Sequence, residues 1–296
     1  MTLLKVSTCS WEGRVMGTEA RLRVVTDDPE AGDAALLRAA EDLSATERAL
    51  SRFMEQSDLS RLNRSGTVVA GERLLTAVER AIDAYEWSEG LLDPRVIGSL
   101  ERFGYWEGVP ENDVGKVEAP EALPPVDMRK WVEESGTVSL PPGTRLDLAG
   151  VGKALGIGWA ALCLAGEVTG SGLLVDVGGD IVALGTDEEG EPWKVLVVHE
   201  EAVGEFSGSS LAVATSTTRR RAWRAGSEEA HHLIDPRTGA PSRGELSYAT
   251  VAASTILEAD LAAKLLILEG RSALERFDDR FQAVVTDLQG RTEILA

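Results

Sequence analysis

The sequence predicts an α+β fold formed as one domain over residues 1–296. Three observations lead to it. Segments of helical period and segments that alternate apolar with polar residues succeed one another without the regular strand-helix-strand order of a parallel sheet. No internal repeat and no clear linker divides the chain. With 296 residues, 43% of them apolar, the chain has enough apolar mass for one large core.

The elements follow in order. Arg14 to Val25 alternates as a strand with Met16-Gly17-Thr18 inside it, and Asp33 to Ala49 repeats Ala and Leu at helical spacing. A loop carrying Ser51, Ser57 and Asn63 comes next. Leu74 to Trp87 reads as an amphipathic helix, with Gly90 as its stop. Residues 108–143, rich in Pro, Gly and acid, read as an exposed excursion with Val138-Ser139-Leu140 as a short strand. A helix over 150–165, a strand over 173–184 and strands at Trp193 to His199 and Ser210 to Thr215 follow. A helix over 256–269 and a hairpin around Asp287-Leu288-Gln289-Gly290 close the chain.

A net charge of −19 argues against nucleic acid or an anionic membrane as partner, because both would repel the protein. An anionic ligand would need a local basic pocket or a metal. Cys9 and Cys163 lie far apart in sequence, and a reducing compartment fits them better than a disulfide. The segment before Cys9 lacks the apolar stretch of roughly 7 to 15 residues that a secretory signal needs. No run reaches the roughly 18 apolar residues that span a bilayer. The expectation is a cytoplasmic protein without membrane insertion.

The most informative stretch holds two Gly-rich elbows, each with a carboxylate. Leu146-Asp147-Leu148-Ala149-Gly150-Val151-Gly152-Lys153 runs into a helix, and Leu174-Val175-Asp176-Val177-Gly178-Gly179-Asp180 closes an apolar strand. Glycine lets a ligand approach the backbone, and Lys153 adds a positive charge in the first turn of a helix, whose N-terminus already favours anions. A phosphate-bearing ligand is the expectation. Dinucleotide-fold and P-loop spacings are both missing. Further on, His231-His232 precedes Leu233-Ile234-Asp235-Pro236-Arg237-Thr238-Gly239, in a chain with three histidines. The pair is either functional, or one histidine packs while the other is solvated. Zinc is a weak reading, because adjacent strand residues face opposite ways and no cysteine is near. A Ser-His-Asp hydrolase is equally weak without a G-x-S-x-G elbow.

Taken together, Met16-Gly17-Thr18, Ser51 to Asn63, Leu92 to Gly98, Leu146 to Lys153, Asp176 to Asp180, Ala214-Thr215-Ser216, His231 to Gly239 and Ala259-Asp260 resemble the ApbE family of FAD:protein FMN transferases. The blocks occur in the family's order over about residues 14 to 270. The resemblance implies a T-fold-related domain with mixed strands and helices around a flavin cleft. It implies FAD as substrate, magnesium at the pyrophosphate, and FMN joined by a phosphoester bond to Ser or Thr of an acceptor flavoprotein. A non-catalytic FAD-binding protein, or an FAD pyrophosphatase releasing FMN and AMP, is the alternative.

Residue by residue, the resemblance implies a flavin contact for Met16, a core methionine being the other reading. Phe53 stands where the family often has Tyr, so stacking is kept and a phenol hydrogen bond is not. Leu91, Leu92 and Asp93 match the segment beside the ligand, and Asp147 and Lys153 match FAD-binding positions, the lysine reading phosphate or merely exposed on its helix. For Asp176 and Asp180 structural hydrogen bonding is expected of at least one. Thr215, Ser216, His232 and Leu233 line the implied site, and His232 is the candidate base for an incoming hydroxyl.

The sequence departs from the family twice. The implied magnesium site takes the Gly150 carbonyl, Asp260 and a Thr four residues on, but that last position is Lys264, whose ammonium at i+4 would pair with Asp260. After Thr215-Ser216, where many members continue with Gly, this chain reads Thr217-Thr218-Arg219-Arg220-Arg221 and then Arg224. These arginines either hold the adenosine pyrophosphate or form a solvated helix face balancing Glu228 and Glu229.

Overall fold

The computed structural model describes residues 6–111, 113–115, 117 and 121–295. Met1 to Lys5 of the N-terminal segment, and Asn112, Lys116 and Glu118 to Pro120 of the 108–143 excursion, lie outside them.

Eight strands form one antiparallel sheet, in the spatial order Ser7–Val15, Thr18–Thr26, Gly170–Val177, Asp180–Gly185, Ser210–Thr217, Leu246–Ala253, Gln282–Asp287 and Thr292–Leu295. Two segments read as single strands are in fact hairpins. Val15 pairs with Thr18 across Met16 and Gly17, at φ 52° and 73°, and Val177 pairs with Asp180 across Gly178 and Gly179, at φ 65° and 90°. Positive φ at both central residues is the two-residue turn whose twist matches the flanking strands. The central strands of the two hairpins are neighbours, with Ala20 opposite Val177 and the Gly178 N–H donating to the Glu19 carbonyl at 2.9 Å. Both tight turns therefore sit at one end of the sheet.

Three helices, α1 (Pro29–Leu50), α5 (Ala149–Glu167) and α6 (Ile256–Glu269), cover one face. Between α1 and α5 the chain forms α2 (Asp58–Ser65), α3 (Glu72–Trp87) and α4 (Ile97–Arg102). α1 starts on Asp28, which accepts the Ala31 N–H at 3.1 Å, and α6 starts on a Thr255–Glu258 capping box. α5 carries Gly152 and Gly156 against α1. A Cβ at Gly156 would collide with the Met16 Cε and crowd Thr46, so the small residues let the helices approach. α5 is also long and apolar enough to cross a bilayer by composition, contrary to the sequence expectation. Val151, Ala154, Ile157, Ala160 and Leu164 on it are buried in the protein's own core. Residues such as Ile157 and Leu164, fully covered, contribute about 1.5 to 3 kcal/mol each.

The loop expected over Ser51 to Asn63 contains α2, capped by Ser57, whose Oγ accepts the Ser60 N–H at 2.9 Å. Asn63 closes this region onto the α5 approach with two hydrogen bonds to one residue: its Nδ2 donates to the Leu146 carbonyl at 2.9 Å and its Oδ1 accepts the Leu146 N–H at 2.8 Å. The 108–143 excursion is less exposed than its composition indicates, since Met128 and Trp131 are buried against the α3 core. On the far face of the sheet lies the hairpin Trp193–His199/Glu201–Gly208, which buries Val195, Val197 and Phe206 against Val213 and Val284. The segment Ala222–Ala225/Glu228–His231 is a further hairpin. Its Trp223 ring stacks on Tyr105 at 5.3 Å and its indole N–H donates to the Phe103 carbonyl at 2.7 Å. Cys9 and Cys163 are both unpaired thiols.

Candidate functional site

A cleft of about 640 Å³ opens where the two tight turns, the N-terminus of α5, the buried side of α6 and the loop after His231 converge. That is the size of a cofactor pocket. It collects Phe53, Leu91, Leu92, Asp93, Asp147, Gly150, Lys153, Asp176, Thr215, Ser216, His232, Leu233, Asp260 and Lys264 from segments distant in sequence. Of the residues read from the sequence, Met16 does not line it. Gly17 and Thr18 do, while the Met16 thioether is directed onto Gly156 of α5, the core reading of that residue. The turn presents its backbone to the cleft and sends this side chain into the helix layer.

Two of the carboxylates are tied down by arginine. Asp147 is buried, accepts the Ala149 N–H at 2.8 Å and pairs with the equally buried Arg52, Nε to Oδ2 2.9 Å. The Arg52 guanidinium lies 4.2 Å from the Phe53 ring centroid and donates to the Tyr105 carbonyl at 2.8 Å. Phe53, half exposed, meets Tyr105 edge-on at the rim. Asp93 accepts the Arg95 N–H at 2.8 Å and grips the same residue's guanidinium. Asp235-Pro236-Arg237 repeats this arrangement with a 2.9 Å N–H bond. Both Asp93 and Asp147 therefore shape the wall through their arginines, and Pro94 joins them by accepting the Asp147 N–H at 2.7 Å.

The two other acids of the elbows both make hydrogen bonds to the backbone. Asp180 is buried, accepts the Thr215 N–H at 3.0 Å through Oδ1 and pairs with Lys153 through Oδ2. Asp176 accepts the Gly179 N–H at 2.9 Å, and burial pushes its carboxyl above the usual range. A side chain added at Gly150 would meet no described atom within 4 Å, so packing does not explain the glycine and the elbow is open to a ligand.

The histidines take separate roles. His231 is buried at the hairpin end, with Nε2 donating to the Ser242 carbonyl at 2.9 Å and Nδ1 accepting the Leu233 N–H at 3.3 Å. His232 faces the cleft, and its Nδ1 is buried with no hydrogen-bond partner among the described residues. Burial, with the positive charges of Arg221, Lys264 and Lys153 behind it, lowers His232 to about 3, so the ring is neutral at pH 7. Of the arginine cluster, Arg220 and Arg221 line the cleft. They stand in a turn between two strands, Arg221 at φ 51°, which removes the solvated-helix reading. Arg224 lies on the following strand, away from the cleft.

Sequence reasoning missed Arg52 and Tyr105, which hold Asp147 and Phe53, and the row of hydroxyls behind Thr215. Thr215 Oγ1 bonds Thr250 Oγ1 at 2.8 Å, and Thr250 bonds His199 Nε2 at 2.8 Å.

Asp260 is almost fully buried. The Lys264 ammonium rests on its Oδ1, while Oδ2 has no hydrogen-bond partner among the described residues. A divalent cation does not fit this set. Magnesium is usually anchored by one or two carboxylates and completes its shell with water and substrate phosphates, but here the Lys264 ammonium already rests on the one carboxylate and stands where the helix would offer the next oxygen ligand. No three His, Cys, Asp or Glu side chains converge as a metal group among the described residues.

The cleft is walled by two tight turns and a helix N-terminus and carries Lys153, Arg221 and Lys264 near a neutral histidine, a lining suited to an anionic ligand. The chain matches the ApbE family over residues 16–285 and belongs to it. It is 28% identical over 268 residues to the FAD:protein FMN transferase of Klebsiella pneumoniae (strain 342), covering 84% of this chain and 75% of that one. It is 27% identical over 248 residues to the protein of the same name in Haemophilus influenzae, covering 76% and 70%. The fold matches the solved ApbE protein of Thermotoga maritima with a TM-score of 0.81 at 20% identity, over 97% of this chain and 96% of that one. It matches the flavin transferase ApbE of Vibrio cholerae with a TM-score of 0.77 at 21% identity, over 98% and 97%.

Proposed function

We propose that this protein is an FAD:protein FMN transferase. One observation carries the reading: in a chain of the ApbE family, His232 lines the cleft with its Nδ1 buried and unpartnered among the described residues, close enough to Arg221, Lys264 and Lys153 to feel their charges. The flavin lies along the Leu91–Asp93 and Phe53 wall, and the pyrophosphate lies at the open Gly150 elbow beside Lys153. The hydroxyl oxygen of an acceptor Ser or Thr attacks the phosphorus on the FMN side, and the bond from that phosphorus to the oxygen shared with AMP breaks. AMP leaves with that oxygen, and the hydroxyl proton goes to His232. Positioning and charge neutralisation carry most of such a transfer. Bound phosphate adds negative charge next to His232 and offsets the cation repulsion that contributes to its low proton affinity.

Magnesium, as the resemblance implies it, has no route in this reading, because the residues at Asp260 do not fit it. The same pair favours a second reading, an FAD-binding protein without turnover. The acceptor is a separate flavoprotein bearing Ser or Thr, and the two unpaired thiols suit the cytoplasmic setting we propose. The test is to incubate the protein with FAD, with and without a candidate acceptor, and to measure AMP. Acceptor-dependent AMP supports transfer, AMP without acceptor means hydrolysis, and bound FAD with no AMP means binding alone.

A further inference from the structure

Four charged side chains meet where α6 faces the end of the sheet. Lys264 pairs with Asp260, Lys153 pairs with Asp180, and the pairs are close enough that Asp260 feels the charges of Asp180 and Lys153 as well as of Lys264. All four line the cleft or are buried directly beneath it. Their formal charges cancel, two positive against two negative. A divalent ion on Asp260 in place of the ammonium would leave the cluster with one net positive charge for a pyrophosphate to meet. Among the described residues, the further cations lining the cleft are Arg220 and Arg221. Both departures from the family pattern thus fall on the same site and act in the same direction: an ion's charge is lost at residue 264 and guanidinium charge is gained across the cleft.

We propose that Lys264 takes the place of the divalent cation and, with Arg220 and Arg221, receives the pyrophosphate of FAD, so that FAD binding by this protein needs no metal. The inference rests on the flavin reading above. An ammonium held by a buried carboxylate keeps donors for phosphate oxygens, since its three N–H groups exceed what one carboxylate oxygen accepts. Guanidinium forks match phosphate oxygens in pairs. In the transfer, the negative charge that grows on the departing AMP phosphate is met by these side chains. The bond made is acceptor oxygen to phosphorus, and the bond broken is phosphorus to the bridging oxygen.

The experiment has two independent readouts. Electron paramagnetic resonance of Mn²⁺ with the purified protein reads the metal site without flavin, and calorimetry of FAD in EDTA and in excess Mg²⁺ reads the ligand. The wild type is expected to hold no stoichiometric Mn²⁺ and to bind FAD equally in both buffers. Lys264→Thr, checked for unchanged melting temperature, is expected to gain Mn²⁺ binding and to lose about tenfold in FAD affinity in EDTA, with recovery in Mg²⁺. Lys264→Arg, which keeps the charge, is expected to retain metal-free FAD binding. Stoichiometric Mn²⁺ in the wild type that is lost in Asp260→Asn overturns the inference and leaves the flavin reading intact. FAD binding that disappears in EDTA does the same. No FAD binding in either buffer overturns the flavin reading itself and the inference with it.

Discussion

Lys264 lies one helical turn after Asp260 on α6 and places its ammonium on that carboxylate's Oδ1, leaving Oδ2 buried with no hydrogen-bond partner among the described residues. A carboxylate so enclosed is ordinarily unfavourable, and burial pushes its carboxyl up while the Lys264 charge pulls it back. The pair stands at the wall of the cleft, where a bound phosphate would give the ammonium a second partner.

Lys153→Ala is expected to weaken FAD binding by about 1 to 3 kcal/mol while leaving riboflavin affinity nearly unchanged, because the lost interaction is a charged hydrogen bond to phosphate. Calorimetry with both ligands checks it. Equal losses for the two would place Lys153 outside the phosphate site, and a fall in melting temperature would report the unpaired Asp180 left behind.

For His232→Asn, FAD affinity is expected to hold while AMP release falls on the order of a hundredfold or more, the contribution of a positioned base. Its buried Nδ1 has no protein partner among the described residues to lose, so the fold is expected to survive. Parallel loss of binding and turnover would make the ring a ligand contact instead.

The buried ion pair between Arg52 and Asp147 joins two segments that wall the cleft. Arg52→Met leaves Asp147 as a buried charge without its partner and is expected to cost about 3 to 5 kcal/mol in urea unfolding. A loss under 1 kcal/mol, on the scale of an exposed pair, would show that water reaches this carboxylate.

His199 sets a pH limit on stability. Burial lowers it from 6.5 to about 4, and its ring is held between Thr286 and Thr250 at 2.7 and 2.8 Å. The folded state therefore favours the neutral ring, and its contribution is complete above pH 6.5. It declines as pH falls from there toward 4, by about 1.4 kcal/mol for each pH unit. His199→Gln is expected to have a shallower loss of stability across that window than the wild type, measured by urea unfolding at several pH values. Identical slopes would contradict the buried neutral histidine.

Much of the site was legible in the sequence because its chemistry is local. Gly178-Gly179 announces a tight turn, and Asp180, Lys153 and His232 stand in short blocks that can be read without knowing the fold. Met16 hid the first hairpin, since a methionine at positive φ is a poor turn signal and the flanking residues alternate straight through it. The loop at Ser51 hid α2 because eight polar-rich residues carry little periodic signal. Arg52 and Tyr105 were not legible at all: their roles depend on ion pairs and ring contacts with residues far along the chain. The arginine cluster was found but given a helical alternative, which the strand ending at Thr217 removes.

The most direct test of the account is mass spectrometry of a candidate acceptor flavoprotein after incubation with this protein and FAD, with AMP counted in the same reaction. FMN is expected joined through a phosphoester to a Ser or Thr of the acceptor, in equal amount to the AMP released, and in EDTA as well as in Mg²⁺. AMP without modified acceptor, or neither product while FAD remains bound, would contradict it.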